Sequence, residues 1–177
     1  MKRAVLIKLG SGLLFSLAMA CAPAGSVAGL PEGAYVLAGE QANLLLQQCS
    51  RGTPAKGEST FQPEASDITA MEGALAEALA NRSQYAPGTG MRNAPQPSQP
   101  DFAHAPQGWK RQFLGIVRGG RRYIYGNYFP AADFPGGRQP DPATSAVMVC
   151  DGGPAFFGAE WDVAARQFTH LAFNGFA

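Results

Sequence analysis

Apolar residues along this chain change spacing from segment to segment, and each spacing predicts a different element. Leu9 to Leu17 is a short apolar-rich run behind Lys2 and Arg3. It is too short for a bilayer core, which takes about 20 residues. A positive start, a short apolar run and the small residues Ala18-Met19-Ala20 read as an export signal over residues 1–20, with fold reasoning starting at Cys21. Further on, Ile68, Met71, Leu75, Ala78 and Leu79 recur at helical spacing within 63–81. Pro63 suits a first helical position, and Glu64 and Asp67 suit the positive end of a helix. This is the main helix expected, with its stripe buried against a sheet. Glu40 to Gln48 carries Leu44, Leu45 and Leu46 among good helix formers and predicts a shorter helix, with a strand as the alternative.

The second half of the chain alternates. Trp109 to Arg118 and Arg121 to Phe129 flank Gly119-Gly120, a two-residue link favoured in tight hairpins. That link pairs Arg118 with Arg121 and lays Phe113 across Gly126. One face then carries Trp109, Phe113, Val117, Ile124 and Tyr128. The other carries Gln112, Leu114, Ile116, Arg118, Arg121, Tyr123, Tyr125 and Asn127. Ala146 to Cys150 predicts a strand running into Asp151-Gly152-Gly153-Pro154, a bulge, a bend or a switch between strands. Phe156 to Trp161 and Gln167 to Asn174 complete the pattern. The fold class is therefore α+β: an antiparallel meander of about four strands packed on one main helix. It looks similar to cystatin-like architecture, a likeness that does not fix function.

Proline and glycine mark what lies between. Residues 21–33 are small and flexible, as in a tether. Ser50 to Phe61 reads as a loop, and residues 34–177 as one globular domain. Within it, residues 83–108 hold Pro87, Pro95, Pro97, Pro100 and Pro106 and form a proline-rich surface loop pinned by Phe102.

Charge narrows the classes of partner. Of 14 Lys and Arg residues, Lys2, Arg3 and Lys8 lie in the signal; 11 basic against 13 acidic residues remain from Cys21 onward, a net charge of −2 with His neutral. Such a balance gives no global pull towards nucleic acid. Any membrane association would run through a lipid anchor.

The chain has three cysteines, an odd number for an exported protein. The small residues before Cys21 resemble the lipobox of bacterial lipoproteins, whose cysteine is acylated and becomes the new N-terminus. Ala18 stands where that signal usually has Leu, and ordinary cleavage leaving an unmodified Cys21 stays open. Acylation of Cys21 leaves Cys49 and Cys150 as one pair, and a disulfide between them is expected. Ala22 after the cysteine resembles the pattern that sorts lipoproteins to the outer membrane, so the expected location is the periplasm with an outer-membrane lipid anchor.

Several side chains are candidates for chemistry. Cys49 or Cys150 could serve as nucleophile with His104 or His170 as base, but no local motif surrounds either cysteine and the disulfide reading is preferred. Asp151, Glu160 and Asp162 could supply the paired carboxylates of a glycan hydrolase. Two isolated histidines without nearby ligand spacing make no metal site, and no cofactor is expected. Gly152-Gly153-Pro154 lacks the Lys-Ser/Thr of a phosphate loop. The hairpin is more suggestive: Lys110, Arg111, Arg118, Arg121 and Arg122 lie within 13 positions, with no acid between Asp101 and Asp133. Arg118, Arg121, Tyr123 and Tyr125 share one face, and tyrosine with arginine is enriched in binding hot spots. An envelope protein, an anionic glycan or lipid head groups would suit such a face; charges that guard a hairpin tip from edge pairing are the plainer reading.

The segments QCSR (Gln48 to Arg51), CDGGPAFFG (Cys150 to Gly158) and LAFNG (Leu171 to Gly175) resemble an uncharacterised family of bacterial envelope proteins. That resemblance implies export and agrees with pairing of Cys49 to Cys150, and it implies no activity. The expectation is a non-enzymatic envelope lipoprotein or periplasmic protein that binds another envelope component, as an inhibitor or assembly accessory. The alternative is a cell-wall-directed hydrolase using Asp151 and Glu160.

Overall fold

A computed structural model describes residues 27–84, 100–132 and 140–175; Cys21 lies outside them. The long hairpin is the frame. Strands β3 (Trp109–Arg118) and β4 (Arg121–Pro130) pair antiparallel in the register that the Gly-Gly link dictates, Arg118 opposite Arg121 and Phe113 opposite Gly126. Gly119 and Gly120 both take positive φ, 57° and 72°, as a tight turn matched to strand twist requires. Strands β5 (Phe157–Asp162) and β6 (Gln167–Phe173) continue the meander in antiparallel order.

Among the described residues the sheet has six strands, not four. Strand β1 (Ala34–Val36) runs parallel to β3 at Arg111 to Phe113, and β2 (Ser59–Phe61) runs antiparallel to it at Gly115 to Val117. Together they close the edge of β3 that β4 leaves open. Three residues each give too little alternation to be read locally. The close fit at β2 depends on Gly115, whose Cβ, if present, would stand 2.2 Å from the Phe61 carbonyl oxygen.

Among the described residues three short α-helices accompany the sheet: α1 (Gly39–Leu44), α2 (Ala65–Gly73) and α3 (Leu75–Ala80). The helix expected over 63–81 is thus divided. Gly73 ends α2 and Ala74 joins the two at φ −97°, ψ −3°, where glycine's poor helix propensity makes a break cheap. The stripe survives the division. Ile68, Met71, Leu75 and Leu79 are fully buried against Phe113, Ile124, Tyr128, Phe157 and Leu171 on one face of the sheet. Each such side chain contributes roughly 1.5–3 kcal/mol by leaving water. Phe102, from a single 3-10 turn (Phe102–His104), joins this core against Trp109 and Phe173, and Val27 and Leu30 of the expected tether pack against it too.

The opposite face is covered as well. Leu37, Ala42 and Leu45 pack with Leu114, Ile116 and Tyr125 in a second cluster. Beyond them the residues expected as a strand, Ala146 to Cys150, are irregular. Several of their backbone groups bond side-chain carboxamides where a ladder partner would stand. Gln41 Oε1 accepts from Ala146 N, Gln112 Oε1 accepts from Val147 N, and Asn127 Nδ2 donates to the Val147 carbonyl at 2.9 Å. Asn174 Nδ2 does the same for Val149 (2.6 Å) and Asp151 (2.9 Å).

Candidate functional site

Two features share the carboxamide face: a buried polar knot and an arginine-rich hairpin tip. The knot begins at Cys49, joined to Cys150 by a disulfide with an S–S distance of 2.16 Å. Both cysteines are exposed at the surface. Two residues on, Arg51 turns inward. Its Nη1 donates to Asn174 Oδ1 at 2.5 Å, its Nη2 to Asn127 Oδ1, and its Nε to the Tyr125 hydroxyl at 3.4 Å. Backbone bonds close the same junction, from Gly175 N to the Ser50 carbonyl and from Gly153 N to that of Gly175. The segments Gln48–Arg51, Cys150–Gly158 and Leu171–Gly175, distant in sequence, therefore meet at one place. Tyr125 is wholly buried and lies over Gly158, where any Cβ would stand 2.2 Å from its hydroxyl oxygen. Burial raises the Tyr125 pKa above its usual value, with Arg51 pulling the other way.

The tip is organised from beneath. Glu160, 2% exposed, holds Arg118 through two hydrogen bonds of 3.0 and 2.8 Å. Thr169 Oγ1 donates to the same carboxylate at 2.7 Å. The hydrogen bonds from Arg118 to Glu160 raise the Arg118 pKa further, so its charge is fixed. Buried Asp162 anchors Arg121 at 2.5 Å while the Arg121 side chain stays 56% exposed. Two guanidinium groups lie over rings: Arg118 at 4.3 Å from the Tyr123 centroid and Arg122 at 4.0 Å from that of Phe61. The tip thus presents Arg118 and Arg121 on this face and Arg122, opposite Val117 and over Phe61, on the other, their directions set by buried carboxylates and aromatic planes.

No family model, curated protein or solved structure matches this chain.

The other sequence candidates fall into place around these two features. Arg118, Arg121 and Tyr123 gather at the tip, but Tyr125 belongs to the knot, because α1 and the residues after it cover that part of the face. Glu160 and Asp162 face the same side of the sheet and are both engaged by arginine. Asp151 is exposed, and its carbonyl accepts from Asn174. His170 bonds the Gly52 carbonyl at 3.0 Å. His104 bonds Asp101 at 2.7 Å on an exposed turn, and that bond lowers the Asp101 pKa. Among the described residues, no group of three His, Cys, Asp or Glu side chains could hold a metal ion, and no helix is long and apolar enough to cross a membrane.

One buried pair escaped sequence reading. Arg111 meets Glu72 through two hydrogen bonds of 2.6 and 3.0 Å beneath α2. Alternation puts Arg111 on the face of Trp109 and Phe113, and Glu72 borders the stripe of Met71 and Leu75. An inward arginine facing an acid on a helical stripe was the available signal.

Proposed function

We propose that this chain is an exported, non-enzymatic envelope protein, anchored to the outer membrane through a lipid on Cys21, whose domain binds an anionic envelope component with its arginine hairpin tip. The observation that carries the reading is the support beneath the tip: Arg118 and Arg121 are each held by a buried carboxylate, and Arg118 and Arg122 each lie over an aromatic ring. An arginine oriented in advance loses less conformational freedom when it meets a carboxylate, phosphate or sulfate. Arg122, exposed, adds charge that no acid offsets among the described residues. Pairing of Cys49 with Cys150 supports export and leaves Cys21 as the odd thiol to be modified.

A hydrolase built on Glu160 is less favoured by the same geometry. A general acid or base needs an oxygen free to reach the substrate, whereas Arg118 and Thr169 occupy those of Glu160. Incubation with purified peptidoglycan separates the two readings. Binding without release of soluble fragments is expected of the proposed protein, and muropeptides lost on Glu160→Gln would establish the hydrolase.

A further inference from the structure

A cleft of about 210 Å³ lies between α1 and the run 56–60. Asn43 and Leu46 form one wall, the run carrying Lys56 and Glu58 forms the other, and buried Leu114 and Ile116 make the apolar floor. Both walls are fixed without a ligand. Thr53 Oγ1 donates to the Leu46 carbonyl at 2.7 Å, which ties the turn after α1 to the following loop. Glu58 N donates to the Val117 carbonyl, Arg118 Nη1 to that of Ala55, and Gly119 N to Glu58 Oε1, at 2.9, 2.8 and 2.9 Å. Gly57 presses on the hairpin so closely that a Cβ would stand 2.1 Å from the Val117 carbonyl oxygen. This close approach requires glycine, and the flanking Lys56 and Glu58, both exposed, line the cleft.

The rim holds opposite charges that do not consume each other. The Lys56 ammonium has no partner among the described residues, and Glu58 accepts the Gly119 amide through Oε1 alone. We infer that the cleft binds a single free aliphatic α-amino acid. Its carboxylate meets Lys56, its ammonium meets the second oxygen of Glu58, and its side chain rests on Leu114 and Ile116. A simple fatty acid would bring its carboxylate against Glu58 as well as Lys56, whereas a zwitterion satisfies both. The volume is below the roughly 300–1,000 Å³ of drug-sized sites, which suits a molecule of one residue. None of the ligand contacts uses the side chains of Arg118, Arg121 or Arg122, so this site and the tip stand or fall separately.

The test is a titration of the whole exported protein, methyl-labelled at Leu and Ile, read by NMR at Leu114 and Ile116. L-leucine is expected to shift those methyl signals saturably. Leucinamide and N-acetyl-leucine, each lacking one charge, should bind about tenfold or more weakly, since each loses a charge-assisted contact. Lys56→Met should abolish the leucine response while leaving the ligand-free methyl positions in place, because Lys56 is exposed and touches no partner. Methyl signals unmoved by leucine, an equal response to all three compounds, or an equal response of Lys56→Met would each overturn the inference.

Discussion

Arg51 reaches across 123 positions of chain to donate to Asn174 Oδ1 at 2.5 Å, and this bond is the centre of the knot that joins the front of the domain to its end. The guanidinium meets only neutral oxygens there, those of Asn174, Asn127 and Tyr125. Three separate acceptors need a planar fork of donors, which lysine cannot supply.

Asn174→Ala should therefore lower stability by about 1.5–3 kcal/mol, the range for losing a hydrogen bond to a charged group. Arg51→Lys should be destabilising as well. Urea unfolding under non-reducing conditions checks both, and wild-type midpoints in the two variants would show that the knot adds little.

The Glu72–Arg111 pair makes a prediction of opposite sense for single and double variants. Arg111→Met leaves Glu72 buried without its cation and should cost about 3–5 kcal/mol. Replacing both residues with Met should recover most of that loss, because two apolar side chains need no solvation. A double-mutant cycle by denaturant unfolding measures the recovery.

Tyr128 has a buried hydroxyl without a hydrogen-bond partner among the described residues, and burial raises its pKa well above 10.0. The folded state therefore holds this proton more tightly than the unfolded one. Its stabilising effect is complete below pH 10, the unfolded value, and is lost as pH rises towards the folded pKa. Tyr125 acts in the same direction. Tyr128→Phe should be neutral or stabilising at pH 7, since it removes an unsatisfied group. It should also flatten the alkaline fall in Tm above about pH 10.

What the sequence made legible was governed by local rules. Gly119-Gly120 between alternating runs set the hairpin, its register and the Phe113–Gly126 contact. The stripe from Ile68 to Leu79 announced its buried face, although not the break after Gly73. Strands β1 and β2 were hidden because three residues show no period, and their pairing depends on β3, some 50 to 80 positions away in the chain. Ala146 to Cys150 has the composition of a strand, yet Gln41, Gln112, Asn127 and Asn174 satisfy its backbone from the side. Carboxamides that distant cannot be assigned to it from spacing. The tip residues were legible as neighbours, while the buried carboxylates that hold them depended on how β5 aligned with β4.

Charge at the hairpin tip is the centre of the functional account, and a salt-dependent binding measurement tests it most directly. The purified protein from Cys21 onward is incubated with washed envelope fragments, alone and as Arg121→Gln/Arg122→Glu, from about 0.05 to 0.5 M salt, a span that shortens electrostatic reach several-fold. Thermal unfolding first confirms that the variant is folded. The account predicts retention of the wild-type protein that weakens with salt, and at least tenfold weaker retention of the variant at low salt, on the order of 1.4 kcal/mol. Equal retention of the two proteins at every salt concentration would contradict it.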